Sequence, residues 1–507
     1  MSLPQRGTSY RLSSQDAGFI YAESDSGPLH IGSIGLFEGR IDFESVVKHL
    51  EGRIHLVPRY RQRLTAVPFN LAHATMEDDP EFSMRNHAFL HELPPGLGEN
   101  EALQQMMEVY QKPLDRKRPL WEVHIYPRLE GGRTAVMWKV HHCLVDGVSG
   151  VELLKVMYDF KPNPDPVPPP ESPWTPQPLP GALERMARGA RASLRSLFDV
   201  TAETSRELMA EPAETLETAR MMARATQTMS ELMLRRIAAT PWNSAVVSQA
   251  RRLGWSRHSF ADFRAIRHAF GGSLNDVVLA LLTEGAARYL KHHGYDPAGA
   301  PFCIGCPVNV RMKEEKSTLG NRVSMMFPTS PAEPMDVVER LHAISEETER
   351  IKSIGAAQAV EMLTRLGDAI PPALLGMSSA VATRTLDAMS ALVGLSNWAP
   401  EPGAFGLPAF GINFIATNVP GVQVVQYLGG HRCLDMIPLV PLGATLGYNV
   451  AILSYNQNLY FGMSAEPRLM PDVALMTAFV DETFVELKQR SSESVGSAEP
   501  VMAAFGR

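Results

Sequence analysis

Apolar and polar residues alternate most regularly between positions 121 and 142. Two strand-like runs, 121–126 and 133–142, flank Gly131-Gly132, and this spacing predicts an antiparallel hairpin. Along the second run Val136, Trp138, Val140 and His142 share one face, while Met137, Lys139 and His141 take the other. The period then changes. Val148, Val151, Leu153, Leu154, Val156 and Met157 recur at helical spacing, so a helix is expected over 147–160. Ser273 and Asp276 have the spacing of a capping box ahead of an apolar helix over 277–290. The stretches 402–430 and 436–465 contain no charged residue, but Pro, Gly, Asn and Gln interrupt both. Short runs such as Ile412-Asn413-Phe414-Ile415 therefore read as buried strands, and no transmembrane helix is expected.

The strongest punctuation is the proline-dense segment 161–181, which enforces an extended tether. Residues 182–240 are helical in period and end at the breaker Pro241-Trp242-Asn243. The expected organisation is an α+β chain with two lobes, at 1–160 and 256–490. A Pro-rich tether and helical connector, 161–255, joins them, and a small polar tail, 491–507, is expected to fray. Within the connector, Leu183, Met186, Ala187, Ala190, Leu194 and Leu197 line one helical face, with Arg185, Arg188, Arg191 and Arg195 on its flank. Such a helix either lies in an anionic membrane interface or packs on a lobe with its arginines solvated.

Composition narrows the picture chiefly by exclusion. With 507 residues, 45% of them hydrophobic and 20% charged, the chain is globular, and its net charge of −7 argues against a nucleic-acid partner. Four cysteines are too few for a disulfide framework and fit a reducing compartment. The first residues lack the apolar core of a secretory signal, so a cytoplasmic location is expected, with peripheral attachment to the inner face of the membrane as an option. Cys303-x-x-Cys306 has the spacing of half a zinc site without a second half, and is read as a pair of buried thiols. No metal and no cofactor are expected.

The chemistry centres on His141-His142-Cys143-Leu144-Val145-Asp146-Gly147, at a strand-to-helix junction where loops commonly place reactive groups. Adjacent histidines on a regular strand face opposite ways, so one is a base and the other positions or packs. Strand geometry alone leaves the choice open. An imidazole, with an unperturbed pKa of about 6.5, suits deprotonation of an alcohol near neutral pH. If the acyl donor is an activated thioester, no serine or cysteine nucleophile is needed. Asp146 can cap the following helix or pair with an arginine, and Gly147 lets the turn close.

The run HHCLVDG resembles the HHxxxDG signature of the coenzyme A-dependent acyltransferase superfamily. That resemblance implies two chloramphenicol-acetyltransferase-like lobes with mixed sheets and a site in a tunnel between them, and it assigns the base to His142. More specifically, the chain resembles the bacterial wax ester synthase/diacylglycerol acyltransferase family over nearly its whole length. The match rests on 12–16 with 28–32, on Pro119-Leu120-Trp121-Glu122, on Ser273-Leu274-Asn275-Asp276-Val277-Val278, and on Asn418-Val419-Pro420-Gly421. It implies acyl-CoA as co-substrate, diacylglycerol or a long-chain alcohol as acceptor, and a peripheral membrane or lipid-droplet surface as the setting. Asn275 becomes a candidate donor near the thioester oxygen. Trp121 is a candidate substrate contact that a core position explains equally well. Asp276, Asn418 and Pro420 are expected to be structural, and Arg311, with Arg322 in reserve, is the expected partner of Asp146. Competing readings are a condensation-type acyltransferase on another acceptor and a silent lipid-binding member.

Overall fold

The computed structural model describes residues 9–68, 72–145, 147–191, 195, 235–244, 248–309, 323–354, 411–443 and 445–503. Asp146, Arg311 and Arg322 lie outside them.

In the first half the chain forms β1 (Tyr10–Arg11), α1 (Ser14–Ala22), β2 (His30–Phe37), α2 (Phe43–Glu51), β3 (Gln62–Thr65) and β4 (Thr75–Asp78). It continues with β5 (Ala88–Leu90), α3 (Glu99–Tyr110), β6 (Trp121–Leu129), β7 (Arg133–His141) and α4 (Gly147–Met157). The alternating run at 121–142 is the β6–β7 hairpin, and its turn closes through Gly131 and Gly132 at φ 73° and 70°, a left-handed pair that favours glycine. The second half contributes β8 (Arg252–Ser259), α5 (Phe260–Phe270), α6 (Leu274–His292), β9 (Phe302–Asn309), β10 (Val323–Met326), β11 (Thr329–Ser330) and α7 (Val337–Ile354). It ends with β12 (Phe414–Val419), β13 (Tyr427–Leu428), β14 (His431–Leu439), β15 (Tyr448–Tyr455), β16 (Asn458–Ala465) and α8 (Val473–Ala503).

Among the described residues a six-stranded sheet runs β13-β14-β2-β7-β6-β5, and a seven-stranded sheet runs β10-β9-β12-β15-β16-β8 with β11 beside β9. Both are mixed: β5 lies parallel to β6, and β12 parallel to β9 and β15. The sheets do not respect the division drawn at 256–490. β13 and β14 come from the second half yet complete the first sheet, with Ile437 opposite Ile34 of β2. β8 begins inside the stretch expected to be connector and forms the edge of the second sheet. Long-range hydrogen bonding chooses these neighbours, and chain order does not display it.

The crossing strand also joins the halves. β14 passes so close over β16 that a Cβ at Gly462 would lie 1.8 Å from the Pro438 carbonyl oxygen, so only glycine fits. Beside it Asp435 accepts from Arg257 at 2.5 Å and from the Tyr460 hydroxyl at 3.1 Å. Val123, Ile125, Val136, Trp138 and Val140 share one core with Met436, Tyr455 and Tyr460, while Ala135 and Met137 face α3 on the opposite side. The second lobe has its own core around α6.

The tether is extended and pinned: Trp174 meets Phe82 edge-on, Arg61 covers its ring at 4.6 Å, and the Gln177 N–H donates to Asp78. The chain end departs from expectation, because α8 continues past Ser491 to Ala503. Its Ser, Glu and Ala residues are compatible with helix, and the Ser491 and Ser492 hydroxyls donate to the Lys488 carbonyl. The charge-free stretches hold short strands, and among the described residues no helix is long and apolar enough to cross a membrane.

Candidate active site

β7 ends at His141, one residue before the second histidine, and the turn that follows carries His142. The turn is held from several sides. His142 donates its backbone N–H to the Leu29 carbonyl at 3.0 Å, and Leu144 donates its own to the His141 carbonyl at 3.0 Å. Arg59 reaches across to donate to the Leu144 carbonyl at 2.9 Å, its guanidinium resting 4.2 Å from the Tyr10 ring centroid. The His142 ring, half-buried, stacks on Phe19 of α1 with centroids 4.0 Å apart and planes within 7°.

The neighbouring ring sits in a different environment. His141 is 0% exposed, and its Nδ1 accepts the Cys143 N–H at 3.1 Å. A nitrogen that accepts carries no proton, so the ring proton belongs on Nε2, which lies 3.3 Å from Glu23 Oε1. Burial pushes the Glu23 carboxyl up, but His141, Arg116 and the Leu29 N–H outweigh it and hold the group down at about 2. His141 is thus committed to a carboxylate and a backbone amide, whereas His142 keeps part of its surface. Cys143 is fully buried, and burial raises its thiol well above the usual value, which keeps it protonated and a poor nucleophile.

The remaining candidates fall at separate places. Gly147 opens α4. Trp121 lies in the first core, 1% exposed, stacked on Tyr60 and His87, with its indole N–H donated to the Tyr60 carbonyl. Of its two readings, core position and substrate contact, this burial fits the core position. Asn275, at the start of α6, and Asn418, on β12, meet: the Asn418 amide nitrogen is 3.4 Å from Asn275 Oδ1. Asp276 completes a capping box with Ser273 and accepts from Thr348 at 2.8 Å. Pro420 precedes Gly421, whose N–H donates to Ser454 at 3.0 Å. Cys303 and Cys306 are buried free thiols three residues apart on β9, hence on opposite faces and unable to share an ion. Among the described residues no group of three His, Cys, Asp or Glu side chains could hold a metal.

Phe19, Glu23 and Arg59 went unnoticed in the sequence. The first two had a signal, since a helix over 14–22 carries Asp16 and Phe19 on one side and ends at Glu23, four residues beyond Phe19.

Residues 12–278 match the family model described as wax ester synthase/diacylglycerol acyltransferase catalytic domain, and residues 319–488 match the WS/DGAT C-terminal domain. A curated relative from Mycobacterium tuberculosis, "Probable diacyglycerol O-acyltransferase tgs1", is 27% identical over 487 residues, which is 94% of this chain and 95% of that protein. The wax ester synthase/diacylglycerol acyltransferase structure from Marinobacter aquaeolei is similar with a TM-score of 0.63 at 20% identity, covering 95% of this chain and all of that one (100%). The first condensation domain of the calcium-dependent antibiotic synthetase shares the fold with a TM-score of 0.59 at 14% identity, over 96% of this chain and 97% of that one.

Proposed function

The chain belongs to the wax ester synthase/diacylglycerol acyltransferase family, and we propose that it transfers a long-chain acyl group from acyl-CoA to the hydroxyl of diacylglycerol or a long-chain alcohol, with His142 as general base. It is an O-acyltransferase, as its family is. The finer reading is carried by one observation: of the paired histidines, His141 is fully buried while His142 stays only partly buried, on a turn bonded to Leu29 and Arg59.

In this mechanism the His142 imidazole takes the acceptor's hydroxyl proton as the oxygen attacks the thioester carbonyl. The C–O bond forms, the C–S bond breaks, and the coenzyme A thiolate takes the proton back from the imidazolium. No group is left altered on the enzyme. Incubation with labelled palmitoyl-CoA and either hexadecanol or diacylglycerol tests the reading. Labelled ester with at least one acceptor is expected, and free fatty acid alone would end it.

Asn275 fits the second requirement, a donor for the charge that develops on the carbonyl oxygen. If its Oδ1 is occupied by Asn418, its NH2 remains to donate elsewhere. Asn275→Ala is then expected to lower kcat about a hundredfold, the usual cost of one such donor, with little change in KM. A kcat within threefold of the parent would reassign Asn275 to holding β12 against α6.

The connector helix supports a lipid surface as the setting. In residues 182–191 the side turned to the protein carries Gly189, where a Cβ would meet Val67 at 2.9 Å and Ala72 at 3.2 Å. Leu183 is 82% exposed, and Ala187, Ala190, Arg188, Arg191 and Arg195 are also exposed. Apolar and basic groups thus face outward together, which suits an anionic interface. Each basic residue near such a surface contributes about 1 kcal/mol, so Arg188→Glu with Arg191→Glu should weaken binding to anionic vesicles by about thirtyfold or more. Flotation of parent and double variant measures this, and equal flotation removes the interfacial role.

A further inference from the structure

Glu23 caps the C-terminal end of α1, and its carboxylate reaches the turn bearing His142 by two routes. Through Oε1 it accepts the Leu29 N–H at 3.0 Å, and the carbonyl of that same Leu29 accepts the His142 N–H at 3.0 Å. Oε1 also lies 3.3 Å from Nε2 of His141, whose Nδ1 accepts the Cys143 N–H at 3.1 Å. On either side of His142 one buried carboxylate therefore holds Leu29 by a hydrogen bond and faces the His141 ring at ion-pair distance. α1 adds a third tie, since it carries Phe19, the ring stacked on His142. Arg116 locks the arrangement, donating to Glu23 Oε2 through Nε at 3.2 Å and Nη2 at 2.8 Å, and to the Ile20 carbonyl at 3.0 Å.

We propose that Glu23 is a positioning residue for acyl transfer: through Leu29 and His141 it fixes the backbone turn that aims the His142 ring at the acceptor hydroxyl. The inference rests on His142 being the base. His141 here bridges the carboxylate to the Cys143 amide, a task that requires one particular tautomer, with Nδ1 bare and Nε2 protonated. Glu23 selects that tautomer because a carboxylate accepts and does not donate.

Glutamine is the informative replacement, since it keeps the shape and supplies one acceptor oxygen in place of two. Its NH2 would face either the Leu29 N–H and His141 Nε2, releasing Leu29 and favouring the other His141 tautomer at the cost of Cys143, or the Arg116 guanidinium, releasing that lock on the turn. Glu23→Gln is expected to lower kcat by about ten- to a hundredfold, the scale of a misplacement near 1 Å, with KM for acyl-CoA and alcohol within about twofold. The assay is run where near-ultraviolet circular dichroism shows the variant folded. A structural role alone would lower the melting temperature and leave kcat per folded molecule unchanged, and a kcat within twofold of the parent overturns the proposal. Should the variant not fold, the unaltered protein decides. Nitrogen-15 spectra of labelled histidine, assigned by comparison with His141→Gln, should show a bare Nδ1 and a protonated Nε2, and the opposite tautomer overturns the proposal. His142→Ala is assayed alongside. If it is active, the base assignment fails and this inference with it; if it is inactive beside a fully active Glu23→Gln, this inference fails alone.

Discussion

Alanine at His142 is expected to lower kcat by about a thousandfold, within the range a positioned general base contributes, while the protein remains folded and its KM for acyl-CoA changes little. The argument for a clean loss is structural. The turn is held by backbone bonds from His142 to Leu29 and from Leu144 to His141, and by Arg59 on the Leu144 carbonyl, and none of these uses the His142 side chain. Alanine removes the stack on Phe19, and such ring pairs are worth about 0.5–1.5 kcal/mol. Stability should therefore fall slightly and catalysis nearly completely. Release of free coenzyme A thiol, followed with labelled ester, measures both acceptors in one assay. Turnover within tenfold of the parent would move the base elsewhere. Cys143 would not inherit the role, because it is sealed in the core as a protonated thiol.

Much of this site was legible because its signals are local. The β6–β7 hairpin announced itself through period-two alternation around Gly131-Gly132, and the start of α6 through Ser273 and Asp276. The histidine pair was legible as a pair, but its division of labour needed the third dimension. β7 stops at His141, and only the surroundings, Glu23 on one ring and Phe19 on the other, tell the two apart. β14 was legible as a strand and not as a member of the first sheet, because its partner β2 lies some four hundred residues earlier and no local pattern encodes that pairing. Trp121 was open in the sequence to a core or a substrate reading, and its burial against Tyr60 and His87 fits the first. The connector helix was open to two orientations in the sequence, and its close approach to Val67 and Ala72 is made at Gly189, with Leu183 exposed.

The second large effect is expected in stability. Arg340 of α7 is 0% exposed and Glu284 of α6 is 1% exposed, and they pair at 2.7 Å through Nε and Oε2. Burial pulls the Arg340 guanidinium down and Glu284 pulls it back, and the other nitrogens are also engaged. Nη1 donates to Ser330 Oγ at 2.8 Å and the Pro331 carbonyl at 2.7 Å, and Nη2 to the Glu333 carbonyl at 2.5 Å. Glu284 in turn accepts the Met335 N–H at 3.2 Å and Arg288 at 2.9 Å, and Arg288 reaches Glu486 of α8 at 2.8 Å. One buried pair thus ties α6, α7, α8 and the loop after β11. Arg340→Ala leaves carbonyls without donors and a carboxylate short of one charge partner, so unfolding free energy should drop by about 3–5 kcal/mol, measured by urea denaturation. Glu284→Ala should cost a similar amount, because it strands a guanidinium in the second core. The double variant should cost clearly less than the two singles together, since neither charge is then left behind. A single substitution costing under about 1 kcal/mol, or strict additivity, would show that the buried pair and its contacts do not hold the region together. Because α6 presents Asn275 at its first turn, the same variants should keep kcat near the parent value while folded and lose activity at a lower temperature.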